Sequence, residues 1–292
     1  MAKFRCSVHQ ITWGAENLIQ ALDDIHDFGY RGMETFAYVV DEFAGREDQL
    51  KSMLNERDLQ LSGLYGGGPM HDAASETEVV EFNLKVAKFL ERMGSHHLVL
   101  GPGRRPDGGP SSAEMRQMAR VVTTIAEGAR DMGVAVGVHP HWNTVVQNRN
   151  EITDFFDQVD TSLVKMVLDP AHIAKAGDDP VEVAESYADI IVYAHMKNYL
   201  PELDTPEAAA AHDGLAPTLA FFSELDRGTV DIVAMIAALR KADFDGWLTV
   251  ELDRTQTTPR QSLEVNTRFM TEVLGFDVAS ENSQAPGVRP RT

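Results

Sequence analysis

The sequence predicts an α/β chain folded as one closed (β/α)8 TIM barrel. Three observations predict it. A short apolar strand, a turn and an amphipathic helix recur about every 25 to 40 residues. Eight such units fit into the 292 residues, a length that one large α/β domain fills. No GxGxxG motif follows the first strand, which removes the usual dinucleotide-binding form of the rival open sheet. Repeated units of this kind imply parallel strands joined by right-handed crossovers.

The first unit pairs the strand FRCSV (4–8) with a helix in ENLIQALDDIHDFG, where Leu18, Ala21, Leu22 and Ile25 share one face. GMETF (32–36) precedes the helical REDQLKSMLNERD. LQLSGLYGGG (59–68) precedes a helix from Ser75. There Ser75 and Glu78 have capping-box spacing, and Phe82, Val86, Phe89 and Met93 recur at helical intervals. SHHLVLGPG (95–103) precedes 112–132, with Met115, Met118, Val122, Ile125 and Ala129 inward. VAVGVHPH (134–141) precedes 149–158, and LVKMVLDPAH (163–172) precedes 180–188. IIVYAHMKN (190–198) runs into a long connection, 199–228, with an alanine run at 208–211 between acidic flanks. Loops of that length serve as active-site lids or interface arms. A helix at 229–242 follows. GWLTVEL (246–252) precedes the last helix, with Thr258 as N-cap, Pro259 at its first position and Gly275 past its end. The barrel thus occupies 1–276. The stretch 277–292, polar with two prolines, is expected as a disordered tail.

A formal net charge of −19 repels phosphate backbones and sets nucleic acid aside as a partner. Its plain consequence is solubility. No window of ~18 uninterrupted apolar residues exists, so no membrane partner is expected. The N-terminus MAKFRCSVHQ lacks a signal-peptide pattern. The one cysteine, Cys6, excludes an intrachain disulfide framework. Both fit a reducing, cytoplasmic setting.

In a barrel of this type the chemistry collects at the C-terminal ends of the strands. Strand 5 ends in His139-Pro140-His141, strand 6 in Asp169-Pro170-Ala171-His172, strand 7 in His195-Met196-Lys197-Asn198 and strand 8 in Glu251-Leu252-Asp253-Arg254. Earlier strands offer His9, Glu34 and Tyr65. Taken alone, a histidine is more often a hydrogen-bonded core or surface residue than a ligand. An Asp before Pro is more often a turn residue or cap. Taken together, four consecutive strands end in His, Asp or Glu. That set suits a divalent ion such as Mn2+, Co2+, Fe2+ or Mg2+, with positions open for substrate. Positions 139 and 141 share one face of a strand, so both imidazoles converge.

These strand ends resemble the xylose-isomerase-like barrel superfamily of sugar isomerases, epimerases and dehydratases. There strand 5 supplies Glu, strand 6 an Asp in Asp-x-x-His, strand 7 a His in His-x-Lys-Asp and strand 8 a Glu. Asp169 and His172 match in LDPAH, His195 and Lys197 in AHMKN, with Asn198 for the usual Asp, and Glu251 in VEL. ITWG (11–14) and FGYRGMETF (28–36) are also similar, and the likeness spans about residues 4 to 275. Strand 5 departs: His139 stands where the metal-binding Glu belongs. A His-x-His before TVV resembles the inosose dehydratase branch and enzymes that cleave 3-keto-glycosides, including C-glycosides, by elimination.

The resemblance implies metal ligands His139, Asp169, His195 and Glu251, with Mn2+ first among the ions. It implies acid–base roles for His141, His172 and Lys197, and the ligand and acid–base roles of His139 and His141 are interchangeable at this level. Trp13, Glu34, Trp142 and Arg254 are candidate substrate contacts. Epimerases of the superfamily use two carboxylates on opposite sides of the substrate, and His139 breaks that pair. The expected activity is therefore that of a metal-dependent lyase: proton abstraction beside a ketone of a keto-sugar, 3-keto-glycoside or keto-inositol, then β-elimination. A sugar isomerase or epimerase is the alternative, and a non-catalytic accessory barrel a further one. A DNA-repair endonuclease on the same barrel is disfavoured by the acidic charge. The resemblance also implies a homo-oligomer, in the glycoside-cleaving branch with a small partner subunit.

Overall fold

Runs of apolar and small residues that bury both faces belong in a parallel sheet covered by helices. The computed structural model describes residues 2–205 and 221–280. In it the eight predicted strands close into a parallel barrel in chain order. They are β1 Lys3–His9, β2 Gly32–Phe36, β3 Gln60–Gly67, β4 His97–Gly101, β5 Ala135–Val138, β6 Val164–Leu168, β7 Ile191–Met196 and β10 Asp245–Val250. Two short strands outside the barrel, β8 Asn198–Tyr199 and β9 Phe222–Ser223, pair antiparallel and tie together the two ends of the long connection. The alanine run 208–211 lies outside the described residues.

Alternation along β1 shows how each strand is used. Cys6 and Val8 face outward into the large core between sheet and helices. Ser7 faces inward and hydrogen-bonds Thr249, its register neighbour on the adjacent strand β10. A small inner cluster of Val99, Val167, Tyr193 and Trp247 fills the barrel below the site. Cys6 is a free thiol, buried, and burial pushes its pKa up to about 12. Among the described residues no helix is long and apolar enough to cross a membrane.

The helical periodicities hold where they were sharpest. Leu18, Ala21, Leu22 and Ile25 are buried on the helix Leu18–Asp27. Met115, Met118, Val122, Ile125 and Ala129 are buried on Ser112–Arg130. Thr258 caps Pro259–Arg268 by accepting the Gln261 amide. The helix Glu76–Met93 corrects two expectations. Ser75 makes no side-chain cap; its hydroxyl donates to Asp72, which caps the preceding turn. Phe82 is 38% exposed. The inward position next to it is taken by Asn83, which accepts from the Gly67 amide at 2.9 Å and donates to the Gly67 carbonyl at 3.1 Å. Gly67 ends β3 in register with Gly101 and has φ 104°, a conformation that suits glycine, and the Asn83 amide satisfies its backbone. True capping boxes form instead at Ser111/Glu114 and Asn148/Glu151. At the C-terminus Phe276 and Val278 are buried, so packing extends to Val278; 281–292 lie outside the described residues.

Candidate active site

Each strand end delivers its polar residue to the same mouth of the barrel. The strand residue His195, and His139, Asp169 and Glu251 just beyond β5, β6 and β10, each bring one ligand atom into a group whose atoms all lie within 4.8 Å of one another. All four side chains are buried. Asp169 does two jobs. Its Oδ1 accepts the amides of Ala171 at 2.9 Å and His172 at 3.1 Å, capping the short helix Pro170–Lys175. Its Oδ2 turns to the cluster, 3.4 Å from His139 Nε2. The cap therefore locks the carboxylate in the orientation the cluster uses.

His195 is held from both sides. Its Nδ1 lies 2.8 Å from Glu251 Oε2 and 3.2 Å from His139 Nε2. Its Nε2 donates to Glu34 Oε2 at 2.8 Å, and Tyr193 donates to the same oxygen at 3.0 Å. A carboxylate behind a ligating imidazole is the usual way to fix its orientation at a metal. Burial opposes a charge on His195, but Glu251 and Glu34 outweigh it and hold the ring well above the ordinary imidazole range. On the other flank Tyr65 Oη sits 3.3 Å from His139 Nδ1.

Lys197 answers the negative charge. Its buried ammonium lies 3.0 Å from Asp169 Oδ2, 3.2 Å from Glu251 Oε2 and 3.1 Å from Asp253 Oδ2. Burial opposes that charge, but Asp169, Asp253 and Glu251 outweigh it and raise its pKa well above the lysine range. Two imidazoles and two carboxylates, buried and drawing a cation to the same oxygens, fit a divalent ion.

Above the cluster His141 and His172 pack against each other, ring centroids 3.6 Å apart. His141 Nδ1 donates to the Trp142 carbonyl at 2.6 Å, so its Nε2 carries the lone pair. His172 Nδ1 accepts the Trp142 amide at 3.4 Å, so its proton is on Nε2, a buried atom with no hydrogen-bond partner, 3.8 Å from Asp169 Oδ2. Burial, reinforced by His139, drives His141 down to about 4. Burial and then His141 hold His172 well below the imidazole range. Phe222, from the far end of the long connection, closes over His172 with centroids 4.5 Å apart.

A family model described as the xylose isomerase-like TIM barrel matches residues 22–273. The chain belongs to that family. Inosose dehydratase of Geobacillus kaustophilus is 25% identical over 271 residues, covering 86% of this chain and 88% of that protein. The structure of the IolI protein with a binding zinc atom superposes with TM-score 0.75 at 17% identity, covering 95% of this chain and 99% of that one. The probable 3-DHS dehydratase AsbF from Bacillus anthracis superposes with TM-score 0.74 at 17% identity, covering 91% and 98%.

Within this xylose isomerase-like barrel, the expected residues are not all in one place. His139 joins the ligand cluster, while His141 lies outside it in the stacked pair; their ring centroids are 5.5 Å apart, so the two do converge. Glu34 reaches the cluster from behind His195. Trp142 stands at the rim, with Lys175 Nζ 4.6 Å above its ring and Phe221 at its edge. Arg254 is half-buried, just past the β10 strand end. Trp13 follows β1 on the short turn Gln10–Trp13. It is buried in the outer core, and its indole N–H is committed to Asp24 at 2.8 Å. The sequence reading gave no role to Asp253, whose side chain is 5% exposed and paired with Lys197. Its signal was its spacing: two residues after Glu251, on the same face by strand alternation.

Proposed function

We propose that the protein is a divalent-metal-dependent lyase that removes water, or an aglycone, from a keto-inositol, keto-sugar or 3-keto-glycoside. The observation that carries this reading is the side chain at the end of β5. An imidazole, His139, joins the ligand group there, and a second imidazole, His141, presents a lone pair beside it. Among the described residues the β5 end carries no carboxylate of its own to return a proton to the opposite face, which is what epimerisation requires.

The ion, which we assign as Mn2+, would be held by His139, Asp169, His195 and Glu251, and its Lewis acidity would polarise the substrate ketone. The chain supplies the rest. His141 Nε2 takes the proton from the carbon next to the ketone. The electron pair of that C–H bond forms the new double bond as the β carbon–oxygen bond breaks. Lys197, the charged donor of the cluster, provides the proton that the leaving oxygen takes up. His172 offers its Nε2–H to an oxygen of the substrate. Phe222 and Trp142 exclude water from this end of the barrel. The inosose dehydratase similarity supports a keto-inositol as the first substrate to try. The proposed setting is a cytoplasmic homo-oligomer.

The test is a substrate screen on the Mn2+-loaded protein with an inosose, a keto-hexose and a 3-keto-glycoside, read by mass spectrometry. Loss of water or release of the aglycone is the expected result. Exchange of a C–H proton with solvent without elimination would assign the isomerase or epimerase reading instead.

A further inference from the structure

Besides His172 Nε2, the buried atoms His9 Nε2 and Glu34 Oε1 in the mouth of the barrel have no hydrogen-bond partner in the protein. The His9 and Glu34 side chains are fully buried. The register pairs His9, the last residue of β1, with Glu34 on β2, so the two side chains leave the sheet on the same side. That side is the lumen. Ser7, two residues before His9, bonds its β10 neighbour Thr249 on that side, and Glu34 Oε2 bonds His195 and Tyr193 within it. The His9 ring stands edge-on to His195, centroids 6.1 Å apart, and is braced by Phe36 at 4.8 Å.

The hydrogen bonding of His9 settles which nitrogen carries its proton. Nδ1 accepts the Ile11 amide at 2.9 Å. An imidazole that accepts at Nδ1 is neutral and has its one proton on Nε2. His9 is therefore a fixed donor, and Glu34 Oε1, next to it across the register, is a fixed acceptor. Buried polar groups find partners, so an unsatisfied donor beside an unsatisfied acceptor calls for a group that is both. A hydroxyl accepts from one and donates to the other. A ketone oxygen only accepts, and would leave Glu34 Oε1 unsatisfied.

We propose that His9 Nε2–H and Glu34 Oε1 form a hydroxyl subsite that reads one alcohol of a polyol substrate and so orients its ketone elsewhere, toward His139, Asp169, His195 and Glu251. This rests on the keto-carbohydrate reading of the site. His9 is a substrate-contact and specificity residue in this arrangement; it takes no part in the proton transfers.

The experiment compares the wild type, His9→Asn and His9→Gln on an inosose and on its series of monodeoxy analogues. Asn puts an amide oxygen near the place of Nδ1, so it keeps the Ile11 contact and loses the donor. Gln reaches the place of Nε2 and restores the donor. On the parent inosose His9→Asn is expected to lose about tenfold in kcat/KM, mostly through KM, with metal content and melting temperature retained. His9→Gln recovers most of that loss. The wild type loses a similar factor on one deoxy analogue, and on that analogue His9→Asn loses nothing more. A His9→Asn enzyme equal to the wild type on the parent, as expected if the pair binds only a buried water, overturns the subsite. So does a penalty that is the same on every analogue. A wild type that converts no inosose, keto-hexose or 3-keto-glycoside overturns the keto-carbohydrate reading and the subsite with it, before any variant is compared.

Discussion

The rings of His141 and His172 lie one over the other, 3.6 Å between centroids and 33° between planes, with their protons on opposite nitrogens. Trp142 sets both states at once, through its carbonyl to His141 and its amide to His172. Two imidazoles at that distance disfavour a charge on both, and in the proposed reaction His141 is the acceptor and His172 the donor. His141→Ala should therefore keep its metal and lose about 100- to 10,000-fold in turnover. Metal analysis and steady-state rates on the same preparation check it. Near-normal turnover would remove His141 from the proton transfer.

Glu34 acts on the cluster through His195. Glu34→Gln removes the carboxylate that orients the ligating ring and should weaken metal affinity by about 10- to 100-fold. Direct loss of a ligand goes further: Glu251→Gln and His195→Ala should retain no metal after dialysis. Competition against a chelator measures all three. Equal affinity in Glu34→Gln and wild type would show that the His195–Glu34 bond is packing alone.

Trp13 tests the boundary between site and scaffold. Its indole N–H bonds Asp24, which also pairs with Arg260 of the last long helix. Trp13→Phe should cost about 1–3 kcal/mol of stability, for a buried acceptor that loses a donor, and leave KM unchanged. Denaturant unfolding and kinetics together decide it, since a substrate contact would raise KM.

His97 gives the fold a predictable acid response. It lies at the start of β4, away from the metal cluster, with Nδ1 3.2 Å from the Ser62 carbonyl and its ring against Tyr193. Burial, and then Arg5, lowers its pKa to about 4. The unfolded chain, with an ordinary imidazole, binds this proton first as the pH falls. Stability contributed by the neutral ring is complete above about pH 6.5 and is lost as the pH falls toward about 4. The melting temperature should decline across that window, and His97→Gln should flatten the decline. An unchanged slope in the variant would exclude His97 as the source.

Much of the candidate site was legible because strand ends are local. LDPAH, AHMKN and VEL each put a polar residue at the end of an apolar run, and strand alternation says that His139 and His141 turn the same way. What was not legible depends on neighbours far apart in the chain. Phe82 has the right spacing for the core, but Asn83 is wanted there by the backbone of Gly67. Trp13 has the right chemistry for a sugar, but Asp24 takes its N–H. The different surroundings of His139 and His141 rest on Asp169 and Trp142, which no pattern in GVHPHWNTVVQ reveals.

By itself the sequence determined the eight βα units, the closed barrel and the set of strand ends that bring His, Asp and Glu together. Those follow from periodicity and from turn residues, which act over a few residues at a time. Only the tertiary structure decided which imidazole joins the carboxylates, that Asp253 is a third partner of Lys197, and that His9 and Glu34 are register neighbours with unsatisfied atoms. Those depend on the register between strands and on burial. Register sets which atoms meet, and burial makes each unpaired polar atom costly enough to be informative.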